Sequence, residues 1–159
     1  MRILIISDTH GSHRNLDEVL EKEKEIDMLL HLGDVEDDDT YLEAALDCPV
    51  RIVAGNNDFY SDLPREEEFK IRKYRIWMLH GHMYYVSMNN HRLKQAARER
   101  KVDIVMYGHT HRPEIDIEED LITLNPGSLA YPRQEGRKAT YIIMELDRNG
   151  KANFQLNYV

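Results

Sequence analysis

The chain has 159 residues, is 42% hydrophobic and 31% charged, carries a formal net charge of -8 and contains one cysteine. That length and balance suit a single domain, 1–159, with one core and no Pro-, Gly- or Ser-rich linker. The acidic balance argues against extended nucleic acid or an anionic membrane as partner, since both need a basic footprint, and one cysteine excludes an internal disulfide.

Along the chain, "RILIIS" (Arg2 to Ser7) is an apolar run with the pattern of a strand buried on both faces. It stops at Ser7-Asp8, too soon for a signal-peptide core or a membrane span, and the expected setting is cytoplasmic. "NLDEVLEKEKE" reads as a helix with Leu16, Val19 and Leu20 on one face, Asn15 as its cap and Glu18 completing a capping box. "DMLLHLGD" is a second buried strand, "TYLEAALD" a short helix with Leu42, Ala45 and Leu46 inward, and "VRIVAGNND" a third strand. Cys48 reads as a small buried filler before that strand. The first 58 residues therefore read βαβαβ, with parallel strands and right-handed crossovers.

"EFKIRKY" and "RIWMLHG" read as paired strands, and "NNHRLKQAARERK" as a helix with Leu93, Ala96 and Ala97 as its stripe. "VDIVMYGHTH" is another buried strand. "EIDIEEDLITLNPGS", "KATYIIMELD" and "ANFQLNYV" read as strands with turns at Glu119-Asp120 and Asn149-Gly150. The second half is expected to be antiparallel, giving two packed sheets with helices outside. The acidic runs Glu36 to Asp39 and Glu66 to Glu68 read as solvated loops or faces.

The informative feature is what ends each buried strand. The endings are "SDTH" with Asp8 and His10, "GD" with Asp34, "GNND" with Asn56, "HGH" with His80 and His82, and "GHTH" with His109 and His111. Ligands bind at the carboxyl ends of strands in parallel α/β sheets, so these groups are expected to converge. Asp, Asn and neutral His suit first-row divalent metals, and no thiolate points to a finger-type zinc site. "SDTH" or "GD" alone is ordinary turn chemistry, and "GHTH" is the stronger signal because a His-x-His pair after glycine at a strand end is rare by accident; five together make a metal site.

The order D-x-H, GD, GN-x-D, HGH, GH-x-H, spread over Met1 to Tyr158, resembles the calcineurin-like metallophosphoesterase superfamily. The small size and the absence of histidine after "GN" are similar to its compact phosphodiesterase branch. The resemblance implies a four-layer α/β/β/α sandwich of two mixed sheets flanked by helices, and two divalent metal ions, manganese first, with iron, nickel, cobalt or zinc tolerated. It further implies that Asp8, His10 and His111 hold one metal, that Asn56, His80 and His109 hold the other, and that Asp34 bridges both. His80 is chosen over His82 on the family pattern alone.

Two metals about 3.5–4 Å apart clamp an in-line displacement and lower the pKa of a bridging water. The implied activity is hydrolysis of a small phosphodiester, with Asp34, Asn57 and Asp58 as catalytic-site residues. Asp58, or a backbone carbonyl, is expected to orient a histidine ligand. Asn57 stands where larger members of the superfamily carry a histidine that helps the leaving group depart. An amide donates hydrogen bonds but gives up no proton near neutral pH, so good leaving groups or another donor, with His82 nearest in sequence, are expected. His13 reads as a capping or surface residue, His31 as buried in its strand and His91 as surface. "NPGS" (Asn125 to Ser128) follows a strand and, by the resemblance, matches a loop next to the metal site, although a Pro-Gly turn already explains Pro126 and Gly127. Neither Trp77 nor the tyrosines form a base-stacking platform. The competing reading is a non-catalytic interaction scaffold, as in a retromer subunit that resembles a degraded member of the family. A homo-oligomer stays open.

Overall fold

A computed structural model describes residues 1–36 and 39–159, so Asp37 and Asp38 of the first acidic run lie outside the described residues. β1 (Arg2–Ile6), β2 (Met28–His31) and β3 (Val50–Ile52) are parallel neighbours connected through α1 (His13–Lys22) and α2 (Asp39–Ala45). Five further strands follow in sequence: β4 (Glu66–Ile71), β5 (Tyr74–Leu79), β6 (Ile104–Met106), β7 (Pro113–Ile117) and β8 (Ile122–Pro126), with α3 (His91–Arg100) between β5 and β6. β9 (Thr140–Leu146) and β10 (Ala152–Tyr158) then return to the first sheet as antiparallel strands beside β1. The sheets have the orders β10-β9-β1-β2-β3 and β4-β5-β6-β8-β7.

The period of two along a strand explains the layering. In β1, Ile3 and Ile5 face the other sheet and meet Ile76, Met78, Ile104, Met106 and Leu124. Leu4 and Ile6 face the opposite way and pack on Leu16 and Val19 of α1 and Leu42 of α2. On the far side of the second sheet, Trp77, Leu79 and Val105 pack on Leu93 and Ala97 of α3. Continuous apolar runs appear where a strand has a core on each face. The result is the expected α/β/β/α sandwich of two mixed sheets.

The second half is not antiparallel throughout. Within the second sheet β6 pairs parallel with both β5 and β8, and only β4 and β7 at the edges run antiparallel. β8 returns from a hairpin and inserts between β6 and β7, a long-range placement that no local pattern reports. Its carboxyl end therefore lies beside those of β5 and β6.

Several local expectations also shift. The N-cap of α1 is Ser12, while Asn15 sits inside the helix and donates through Nδ2 to Leu129 O at 2.6 Å. Ala45 is exposed and Cys48 is partly exposed, with burial raising its thiol pKa. Glu66 to Glu68 form an edge strand rather than a loop, with Arg100 pairing Glu66 and Glu68 and Arg51 pairing Glu67. Such charges discourage pairing of the edge with another chain. His13 opens α1 and stacks on Tyr41, with ring centroids 4.1 Å apart. His91 is exposed at the start of α3. Among the described residues no helix is long and apolar enough to cross a membrane.

Candidate metal centre

The carboxyl ends of β1, β2, β3, β5 and β6 carry Asp8 and His10, Asp34, Asn56, His80, and His109 and His111, and the structure brings these loops to one place. Ligand-type atoms of Asp8, His10, Asp34 and His111 all lie within 4.8 Å of one another. His111 Nε2 is 3.0 Å from Asp8 Oδ1, and the Nε2 atoms of His10 and His111 are 3.4 Å apart. Asp34 Oδ2 is 3.7 Å from His10 Nε2 on one side and 3.5 Å from His80 Nε2 on the other. Beyond it, His80 Nε2 lies 3.1 Å from Asn56 Oδ1, and the His80 and His109 rings are 5.1 Å apart. Asp34 thus stands between two clusters of nitrogen and oxygen donors.

Backbone strain concentrates here. Of the ten non-glycine residues with positive φ among the described residues, five are Asp8, His10, Asp34, His109 and His111. Left-handed backbone costs an L-residue roughly 1–2 kcal/mol, so these conformations persist only because surrounding bonds hold them. Those bonds are visible: Asp8 N–H donates to Gly33 O, His10 N–H to Asp34 O and His109 N–H to Asp8 Oδ2.

The glycines serve close approach rather than only a sharp bend. A Cβ on Gly55 would sit 2.1 Å from Asp34 Oδ1, and one on Gly108 2.0 Å from Ser7 Oγ and 2.9 Å from Asp8 Oδ2. Neither has a positive φ, so the requirement there is space alone.

Three imidazoles are oriented from behind. Nδ1 of His80 donates to Leu32 O at 2.7 Å, Nδ1 of His111 donates to Tyr131 O at 2.8 Å, and Nδ1 of His10 lies 2.7 Å from Glu36 Oε1. In each case this turns Nε2 toward the buried carboxylates, the arrangement that suits a metal-ligating histidine. Asp58 does not do this work. Its carboxylate accepts from the N–H groups of Val35, Glu36 and Gly55, so it ties the "GD" and "GN" loops together and reaches the centre only through them.

Charge is the main tension of the site. Asp8 is fully buried and Asp34 is 1% exposed, and among the described residues neither pairs with lysine or arginine. Burial by itself would raise the Asp8 carboxyl, but pairing with His111 and the charge of His80 hold it below the ordinary value. Burial also works against ionised Asp34, yet His80, the Asn57 N–H and His10 pull it down to about 2. His80 moves up because Asp34 and Asp8 outweigh its burial. His109 is pushed down to about 4 by burial and then by the charge of His80, so it presents a neutral imidazole at neutral pH.

The residues present fit a divalent cation. Asp8 Oδ1 is buried with no hydrogen-bond partner among the described residues, and its contact with His111 is an ion-pair approach only. An unpaired buried carboxylate oxygen is costly unless a cation faces it. The oxygen and imidazole donor set suits first-row divalent metals.

The remaining sequence candidates take clear places. Asn57 is exposed and grips Asp34 twice, through its backbone N–H to Oδ1 at 2.9 Å and through Nδ2 to Oδ2 at 3.1 Å. His82 begins a single 3-10 turn, with its ring 5.5 Å from that of His80 and 6.1 Å from that of His109. His31 is fully buried, held by Thr9 Oγ1 and Gly33 N–H, and pushed down to about 4 by burial.

Two contributors lie where sequence reasoning saw only loops. Glu36, taken as part of a solvated run, holds His10; its position two residues after Asp34 was the available signal. "NPGS" is more than a turn because β8 is parallel to β6. Ser128 Oγ donates to Asp8 O at 2.8 Å, and Asn125 Nδ2 donates to Gly108 O at 2.9 Å, so this loop buttresses two strand ends from behind.

Fold and site together define an α/β/β/α protein with a buried, carboxylate-centred cluster of metal-ligand type at the ends of its parallel strands. Residues 1–149 match the calcineurin-like phosphoesterase superfamily domain, and the chain belongs to that family. It is similar to the probable metallophosphoesterase MJ0623 of Methanocaldococcus jannaschii, with 37% identity over 84% of this chain and 70% of the relative. It is also similar to phosphodiesterase MJ0936 of the same organism, with 27% identity over 80% of this chain and 83% of the relative. Among solved structures, wild-type Vps29 of Entamoeba histolytica complexed with zinc superposes with a TM-score of 0.77 at 26% identity, covering 99% of each chain.

Proposed function

We propose that the protein is a divalent-metal-dependent phosphodiesterase in which Asp8, His10 and His111 hold one cation, Asn56, His80 and His109 hold a second, and Asp34 contacts both. The observation that carries this reading is Asp34, buried between two donor clusters with no lysine or arginine paired to it among the described residues. Two cations held by these residues would supply charge neutralisation of an anionic diester and an activated water at neutral pH.

The chain's own residues do the positioning. Leu32 O, Tyr131 O and Glu36 hold three imidazoles in one orientation. Asp58 locks the "GD" and "GN" loops, and Ser128 and Asn125 brace the other side. Asn57 keeps both Asp34 oxygens aligned and is itself exposed to solvent. Burial of the carboxylates keeps bulk water from screening their charge.

The test is to strip the protein of metal, reload it with single divalent ions, manganese first, and assay a chromogenic phosphodiester beside its monoester. Turnover is expected only with metal and higher on the diester. A cation at about 100 times its Kd adds about 2.7 kcal/mol, which for a chain of this size raises Tm by about 5–10 °C. No turnover with any metal sinks the enzymatic reading. Metal-dependent stabilisation without turnover favours the interaction-scaffold reading, for which the likeness to Vps29 speaks.

Asn57→His is expected to raise kcat/KM on esters with poor, alkyl leaving groups by at least about tenfold relative to nitrophenyl esters, because general acid catalysis contributes roughly 10²–10⁴-fold where the leaving group needs a proton. An unchanged ratio between the two ester types refutes this role for the position.

A further inference from the structure

The loop that follows β5 contributes to two cavities of different character. One, of about 520 Å³, is lined mainly by polar groups, among them Asn89, Asn90, Thr110, Arg112, Glu114 and Arg133. The other, of about 560 Å³, is lined by Phe59, Leu79, Met83 and Tyr84 on its apolar side and by Asn56, Glu66, His80 and His82 on its polar side. The second is therefore an apolar cavity continuous with the candidate metal centre, since Asn56 and His80 meet beside Asp34.

Its apolar residues are not ordinary surface. Phe59 and Met83 are 72% and 74% exposed, although they project from loops beside a polar centre. Large apolar groups left open around a concave site mark a binding surface. Leu79 is buried, and Tyr84 packs edge-on against Trp77 with centroids 5.3 Å apart, which holds one wall in place. Arg65 also lines the cavity; its guanidinium donates to Gly55 O and makes no ion pair among the described residues. An arginine beside aromatic and thioether groups suits a ring attached to an anion: the ring packs on Phe59 and Met83 while the guanidinium faces the charge.

We propose that this cavity seats one ester substituent of the substrate, and that it selects a planar aromatic group, an aryl or nucleobase ring, over a small alkyl one. The proposal rests on the phosphodiesterase reading and adds the chemical class of one arm of the diester. Phe59 and Met83 determine the preference, and neither is among the candidate ligands. The volume lies within the usual range of about 300–1,000 Å³ for small-ligand sites and exceeds what an alkyl arm fills.

The test uses zinc-loaded protein with methyl-labelled methionines, titrated with the monoethyl esters of phenylphosphonate and of methylphosphonate. These carry the same single charge and a poor leaving group, so binding is read without turnover, by calorimetry and by the Met83 methyl resonance. The phenyl compound is expected to bind about five- to tenfold more tightly, the scale of one good aromatic contact. It should shift the Met83 methyl by its ring current, while the methyl compound leaves that signal in place. Phe59→Ala should reduce the preference to about twofold or less without weakening the methyl compound, in line with the small part exposed residues play in folding stability. Equal affinities with Met83 unmoved overturn the subsite alone and leave the metal reading standing. A preference that survives Phe59→Ala combined with Met83→Ala also overturns it. Failure of both compounds to bind zinc-loaded protein overturns the phosphodiesterase reading and the subsite with it, whatever the metal content.

Discussion

Asp34→Asn is expected to lower kcat/KM on a chromogenic phosphodiester by about 10³-fold or more, because losing a group that merely orients a ligand already costs about 10–100-fold. The substitution keeps shape and removes charge. Asp34 is held ionised at neutral pH, with its carboxyl near 2, so an amide there removes a full negative charge from between the two donor clusters. It also turns an acceptor into a donor facing either His10 Nε2 and His80 Nε2, or the Asn57 N–H. The backbone at Asp34 has φ 54°, which asparagine tolerates better than most residues, so the variant should fold. Metal content by elemental analysis should fall together with activity, while the melting temperature of the metal-free protein stays close to that of the parent. Parent-like activity with parent-like metal content would falsify the bridging role.

Gly55→Ala is expected to damage the same centre from the opposite side. The added Cβ would lie 2.1 Å from Asp34 Oδ1 and 2.3 Å from Asp34 N, and one of these atoms is backbone that cannot step aside cheaply. Overpacking of this kind costs about 1–3 kcal/mol, and displacement of Asp34 should weaken metal affinity by at least about 10–100-fold. Gly136→Ala is the control. Gly136 has φ 77° and nothing within 4 Å of an added Cβ, so only the left-handed backbone cost of roughly 1–2 kcal/mol applies and metal affinity should not move. The pair separates steric from conformational causes. Equal metal affinity in Gly55→Ala and the parent would show that the loop relaxes without moving Asp34.

Much of this architecture can be read from short windows of sequence. The unbroken apolar run in "RILIIS" demands a core on each face of β1, and Ile3 and Leu4 do face different cores. The endings "SDTH", "GD", "GNND", "HGH" and "GHTH" put acceptor and imidazole side chains where parallel strands end, and their chemical types already point to a cation. Side-chain period, turn residues and ligand chemistry are local properties, encoded within a few residues, so they survive without knowledge of the fold.

Contacts between distant residues needed the folded chain. His10 and His111 approach to 3.4 Å across 101 positions in sequence, and the insertion of β8 beside β6 brings "NPGS" behind Asp8. No local pattern carries the direction of a strand relative to a neighbour it meets only after a hairpin. The same limit hid Glu36, whose carboxylate looks like any other in an acidic run until His10 is beside it. It also left open whether Asp58 or a backbone carbonyl orients a histidine; Leu32 O and Tyr131 O do so, while the N–H groups that Asp58 accepts from come from two different loops. Composition and spacing determined which chemical groups the site contains; packing of the two sheets decided which of them meet, because register and strand direction are set by burial across the whole core.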